Sequence, residues 1–338
     1  MQHAFSLGLA ILAFTAPQAF AQDAKLGFSA EFSVEVENDF TFGATDSGAE
    51  VNNLNATIEG AITYRFSPST YLHLGLVFEQ LGDPEGDSEF EDHGLYAEEL
   101  FLSHDFGRFT GYTGKFNVAY GLANDEAPGI YGTDFVEDYE ITEKVGAGLS
   151  IPVEFAGGNH EIYGALFQAD RSFLSDSIGF ERGQLDLDDG GVSNTKSLSS
   201  FVAGITGEVS GTAYSFAVQR QAEGDGDTDD QTGATFSATH DFGQFVGIGE
   251  VAYFDSFDGT NDSATYISVG AAVPLSDNIN LSGVYGYRDI EGSTEDTLAT
   301  VTVEYEFTSG VVAAVGYRYG DEDGVKSDTL GVLVGYEF

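Results

Sequence analysis

The chain has no cysteine, six prolines, one methionine and only 12 lysines and arginines in 338 residues. Without cysteine there is no disulfide framework, which fits an exported protein stabilised by a large core or by a membrane. Against the 12 basic residues stand 56 acidic ones, a net charge of -44, which excludes nucleic acid as a partner because that ligand demands a basic footprint. Cations are the better company for such a chain. No apolar stretch of about 18 residues occurs outside the N-terminus, so a helical membrane span is excluded, and any crossing must be made by strands. Also missing are paired zinc-binding histidines and a phosphate-cradling glycine motif. His73, His93, His104, His160 and His240 are scattered, with no grouping of Ser, His and Asp. No enzyme is expected.

What is abundant is glycine (44), phenylalanine (28) and tyrosine (17), the composition of strands and tight turns. The first residues, "MQHAFSLGLAILAFTAPQAFAQ", carry an apolar run from Leu7 to Phe14, a break at Pro17 and the small-x-small signature Ala19-Phe20-Ala21. They read as a signal peptide over residues 1–21, with His3 but no Lys or Arg before the apolar run. The mature chain is then 22–338.

From there on, apolar and polar residues alternate. Leu26, Phe28, Ala30, Phe32, Val34 and Val36 oppose Ser29, Glu31, Ser33, Glu35 and Glu37. "NLNATIEGAITYRF" repeats the pattern. About sixteen such segments follow one another, each of roughly 9 to 14 residues, the length of a tilted transmembrane strand rather than of an ordinary globular one. "ELFLSHDF" and "FVGIGEVAYF" alternate poorly. Connectors after even-numbered segments are short, such as "SPST" and "DFGR". Those after odd-numbered segments are longer and acidic, up to "DIEGSTED" and "GDEDGVKSD" at the end of the chain. Phe66, Phe106, Phe242, Phe307 and Phe338 stand by the short turns, and Tyr120, Tyr253, Tyr287 and Tyr319 by the long loops, which predicts two aromatic girdles. Because hydrocarbon satisfies no backbone group, the last strand must pair with the first. The expected fold is all-β: a closed transmembrane antiparallel β-barrel of about 16 strands.

A signal sequence, this alternation, the asymmetry of turns and loops, and a final strand ending Tyr336-Glu337-Phe338 resemble the Gram-negative outer-membrane porins over the whole mature chain. The resemblance implies an integral outer-membrane channel for small hydrophilic solutes. It also implies a homotrimer, contacts with lipid and lipopolysaccharide, and a C-terminal assembly signal at Tyr336 and Phe338 read by the barrel-insertion machinery. In that family the third long loop folds into the lumen. Here it is residues 121–140, with Asp125, Glu126, Asp134, Glu137 and Asp138; the bland alternative is a solvated loop outside the mouth.

If the apolar parity faces lipid, Arg65, Lys115, Lys144, Arg288 and Arg318 point inward, since a charge against lipid would cost about 2–4 kcal/mol at the midplane. Arg65, Arg288 and Arg318 come together on one wall when the barrel closes. The porin resemblance implies a transverse field between them and the loop acids, although ordinary pairing with nearby wall acids fits the same positions. Glu31, Glu35, Glu59 and Glu143 share the inward parity, so cations are expected to be preferred, over a reach of about 8 Å at physiological salt.

Asp225, Asp227 and Asp229 have the opening spacing of a calcium loop, but Asp230 stands where glycine is required and no glutamate stands at position twelve. Loosely bound calcium between acidic loops and lipopolysaccharide, shared with the stretch 185–191, is the broader expectation. No other cofactor is expected. A second reading of the whole chain is a substrate-selective barrel for a siderophore or similar ligand, held by the long loop around "RSFLSDSIGFERGQLDLDDGG". A third is a plugged structural barrel.

Overall fold

The computed structural model describes residues 26–82, 84 and 86–338. The stretch read as a signal peptide, residues 1–21, lies outside the described residues. Sixteen long strands follow the predicted segments: β1 (Gly27–Ala44), β2 (Asn52–Ser67), β3 (Thr70–Gln80), β4 (His93–Asp105), β5 (Thr110–Val118), β6 (Ile141–Phe155), β7 (Gly158–Ala169) and β8 (Ser200–Val209) form the first half. The second half is β9 (Thr212–Gln221), β10 (Gln231–Asp241), β11 (Val246–Asp255), β12 (Ala264–Ser276), β13 (Ile279–Ile290), β14 (Glu295–Glu306), β15 (Val311–Glu322) and β16 (Val325–Glu337).

Each strand pairs antiparallel with the next, and β16 pairs antiparallel with β1, with Ser33 opposite Glu337 and Ala44 opposite Ser327. The sheet is therefore a closed barrel with no free edge, as hydrocarbon requires. Two short additions decorate it outside the ring. Ser88–Glu89 runs parallel to Asn53–Leu54, and Ile178–Gly179 runs antiparallel to Gly94–Leu95.

The alternation sorts side chains as the pattern demands. Leu330, Val332, Val334, Tyr336 and Phe338 are exposed on the outer face, whereas Thr329 and Leu333 are buried within. Phe66, Phe106, Phe242, Phe307 and Phe338 are all exposed at the short-turn rim, with Phe106 stacked on Phe109 and Phe242 on Phe245. Closure reaches the last residue. The Phe338 N–H donates to Phe32 O at 2.9 Å and Phe32 N–H donates back to Phe338 O at 3.0 Å.

Two expectations need correction. Tyr120 is no girdle residue: it is buried inside the barrel against Tyr139 and Phe254. The last two acidic connectors are not long loops. They belong to β13–β16, which extend into hairpins connected by 291–294 and by 323–324 only. Asp323 and Gly324 both have positive φ, 50° and 77°, the left-handed pair that a two-residue hairpin turn uses. "ELFLSHDF" alternates poorly because its inward Phe101 is apolar, packed against Tyr71 and Tyr112, and just before it β4 carries a bulge. There Leu76 and Gly75 of β3 oppose Ala97 and Glu99, leaving Glu98 without a partner. Outward residues therefore switch parity across it, from Leu95 to Leu102.

Candidate functional site in the barrel lumen

The segment 119–140 between β5 and β6 folds into the barrel. Its entry is set by Gly121 at φ +100°, where a Cβ would come within 2.5 Å of the Glu250 carboxylate. Leu122 and Ala123 N–H then donate to Glu250 Oε2 at 2.7 and 2.9 Å, at the start of the short helix α1 (Ala123–Glu126). On the way out, the Tyr139 hydroxyl donates to Glu250 Oε1 at 2.5 Å. One buried carboxylate of β11 thus fastens both ends of the loop.

Between these ends the loop follows the inner wall towards the last strands. Thr239 of β10 donates to Glu126. Gly129 sits so close to Thr302 that a Cβ would meet its hydroxyl at 2.7 Å, and Ile130 N–H donates to that hydroxyl at 3.2 Å. The Tyr131 hydroxyl donates to Asp39 of β1. Asp134 pairs with Arg318 at 2.6 Å and Asp138 with Arg288 at 2.7 Å. Arg288 also lies 4.7 Å over the Phe135 ring. Beneath these polar ties, Ala123, Phe135, Val136 and Tyr139 bury themselves against Ile248, Phe254, Tyr266 and Leu298. Each large apolar side chain so buried contributes about 1.5–3 kcal/mol relative to exposure.

The predicted loop acids therefore divide. Asp134 and Asp138 are spent on arginines, and Glu126 on Thr239. Glu137, which accepts from the Thr133 hydroxyl at 2.6 Å, and Glu140 have no ion pair among the described residues. Burial first, then the charges of Glu137, Glu98 and Asp125, pushes the Glu140 carboxyl up to about 8. Burial, followed by Glu126 and Glu250, pushes Asp125 up to about 6.

Beside the loop, β1 to β4 present more carboxylates. Glu37 feels the charges of Glu35, Asp39 and Asp134, and Glu98 those of Glu99, Glu59 and Glu143. Glu79 is within electrostatic range of Glu137 on the loop. Glu31 stands exposed at the short-turn end of the same wall.

The predicted basic wall does not assemble as one. Arg288 and Arg318 hold the loop directly instead of facing it across a gap. Arg65 lies at the other end of the barrel, donating to Pro68 O at 3.2 Å and lying 4.9 Å over Tyr71. Lys115 is buried under the fourth long loop, bonded to Glu143, Asp170 and Leu174 O. Lys144 occupies an inward position of β6 next to Glu143.

Nor do the calcium candidates converge. Among the described residues no group of three or more His, Cys, Asp or Glu is placed to hold a metal. Asp227 instead accepts from Gly224 and Gly191 N–H, and Asp229 accepts from Asp230 N–H. Residues that sequence reasoning missed are Glu250, Tyr131 and Asp39. Their signal was available only in part: Glu250 is the one acid among the inward residues of a strand whose inward face, Ile248, Ala252 and Phe254, is otherwise apolar because the loop covers it.

No family model matches the chain, and no characterised protein matches it in sequence. Solved structures do match. The outer membrane channel DcaP of Acinetobacter baumannii is 12% identical with a TM-score of 0.62, covering 93% of this chain and 99% of that one. Salmonella typhi OmpF, in complex with daunomycin, is 12% identical with a TM-score of 0.63 over 92% of this chain and 97% of its own. An anion-selective porin from Comamonas acidovorans is 11% identical with a TM-score of 0.59 over 92% and 100%. At these identities the likeness speaks for the fold. With the closed ring and the inward loop, the chain is a closed 16-stranded antiparallel β-barrel with the fold of the Gram-negative porins.

Proposed function

We propose that the protein is a passive porin that lets small hydrophilic solutes and ions cross the outer membrane, with cations preferred. Carboxylates of the loop and of the wall beside it carry this reading: Glu137 and Glu140 on the loop, and Glu35, Glu37, Glu59, Glu79 and Glu98 on the wall. Fold alone does not set the sign of selectivity, since one barrel of this shape is described as anion-selective. The same reading takes the protein as a homotrimer embedded among lipid and lipopolysaccharide. Purified protein in a planar bilayer under a KCl gradient is expected to give a reversal potential of the cation-preferring sign; chloride preference would overturn the proposal.

Two predictions follow from the division of the loop acids. Glu137→Gln is expected to lower the K/Cl permeability ratio, and Glu140→Gln to lower it above about pH 8, where that carboxyl is charged. Asp134→Asn leaves Arg318 with Glu322 as its remaining partner and is expected to lower the ratio as well and to loosen the loop. Acidity should matter too. A carboxyl pushed upward is charged only above its raised value, so cation preference is expected to climb from pH 5 to pH 9 as Asp125 ionises near 6 and Glu140 near 8. Reversal potentials measured at pH 5, 7 and 9 check this; a flat profile contradicts it.

A further inference from the structure

The fourth long connector, 170–199, also turns back onto the barrel. Its Ile178–Gly179 pair docks on Gly94–Leu95 at the long-loop end of β4. Gly94 permits the approach, since a Cβ there would meet Phe180 O at 2.7 Å. The segment that follows carries Arg182. Its guanidinium lies 4.0 Å over the ring of Tyr96, donates to Ser175 O at 2.9 Å and pairs with Glu143 at 2.6 Å. Tyr96 is a lumen residue, because its hydroxyl donates at 2.6 Å to Glu79, the same glutamate that feels Glu137 of the inward loop. Arg182 acts on Glu79 as well, so this arginine and the loop acid bear on one carboxylate. Its side chain keeps 24% of its surface exposed, and the Glu143 that it binds is shared with Lys115.

We infer that the fourth long loop is a second pore-lining element and that Arg182 sets ion selectivity by opposing the carboxylates of the aperture. The inference rests on the channel reading above. A fixed positive charge beside a carboxylate-lined passage lowers local cation concentration and admits anions that the acids alone would turn away. The positive counterpart to the inward loop is thus supplied by another loop stacked on an aromatic, with Lys144 of β6 beside the same Glu143.

The absence of cysteine makes a direct test possible, because an introduced thiol is unique in the chain. Arg182→Cys is expected to raise the K/Cl permeability ratio by about threefold, the effect of removing one unit charge several ångströms away in water. A methanethiosulfonate bearing trimethylammonium should return the ratio towards that of the wild type, and one bearing sulfonate should raise it further. Arg171→Gln, which removes an arginine bond to Thr195 O in the same loop, should leave the ratio unchanged. A wild-type protein that does not conduct sinks the channel reading itself. A conducting wild type overturns the Arg182 inference in any of three ways: the thiol resists both reagents, labelling verified by mass leaves the ratio unmoved, or Arg171→Gln reproduces the rise.

Discussion

Glu250→Ala is expected to free the inward loop while leaving the barrel closed. The substitution removes the acceptor for Leu122 N–H, Ala123 N–H and the Tyr139 hydroxyl at once. Each donor stranded in a buried setting costs about 1–3 kcal/mol, and water entering from the lumen keeps the sum near the lower end. Even one to two kcal/mol changes the population of the undocked loop by a factor of about 5–30. Single-channel conductance is expected to rise and to become noisy, because a loop that detaches at its hinge points no longer holds one aperture. Gly121→Ala should act in the same direction, forcing a left-handed backbone and a clash with the same carboxylate. Heat-modifiable mobility in detergent gels should stay that of the wild type for Glu250→Ala, since no ladder bond of β11 involves the side chain. Quiet, wild-type conductance from a folded variant would show that the apolar core around Phe135 and Phe254 holds the loop alone.

The wall was legible in the sequence because period two is a strong signal when one face meets lipid. Leu330, Val332 and Val334 can face only outward, and register then fixes the partners of every residue in β16. Legibility failed where the inner face is not simply wet. In β11 the inward set is apolar because a loop lies on it, so "FVGIGEVAYF" carries hydrophobic residues on both faces and its single acid looks incidental. In β4 the extra residue Glu98 breaks the parity of an otherwise regular strand. At the long-loop rim, acidic composition suggests loops, yet Asp289 opposite Glu295 and Asp321 opposite Lys326 are ladder pairs in water-exposed hairpins. Charge partners were the least legible feature. Parity puts Arg288 and Arg318 on the inner face, but their bonds to Asp138 and Asp134 join positions 150 and 184 residues apart. Arg182 gave no periodic signal at all, because it sits in a connector whose path is set by the docking of Ile178–Gly179.

Deleting Phe338 is expected to reduce the amount of assembled protein in membranes severely while leaving the conductance of surviving channels unchanged. The last residue closes the ring twice. Its backbone exchanges two hydrogen bonds with Phe32, and its ring stacks on Phe32 at 5.8 Å and on Tyr336 at 5.7 Å. Deletion leaves the Phe32 N–H and C=O facing lipid at the interface, where each unsatisfied backbone group costs several kcal/mol towards the hydrocarbon side. It also removes aromatic contacts that contribute about 0.5–1.5 kcal/mol each beyond area burial. Phe338→Ala separates the two effects, since it keeps the backbone closure and loses only the rings, so its assembly should fall between deletion and wild type. The lumen is untouched, because Phe338 points outward and the aperture lies on the inner face. The assembled fraction is read as heat-modifiable protein in isolated membranes. Wild-type levels of the truncated barrel would show that β16 is held to β1 by the ladder from Ser33 to Ala44 without help from its final residue.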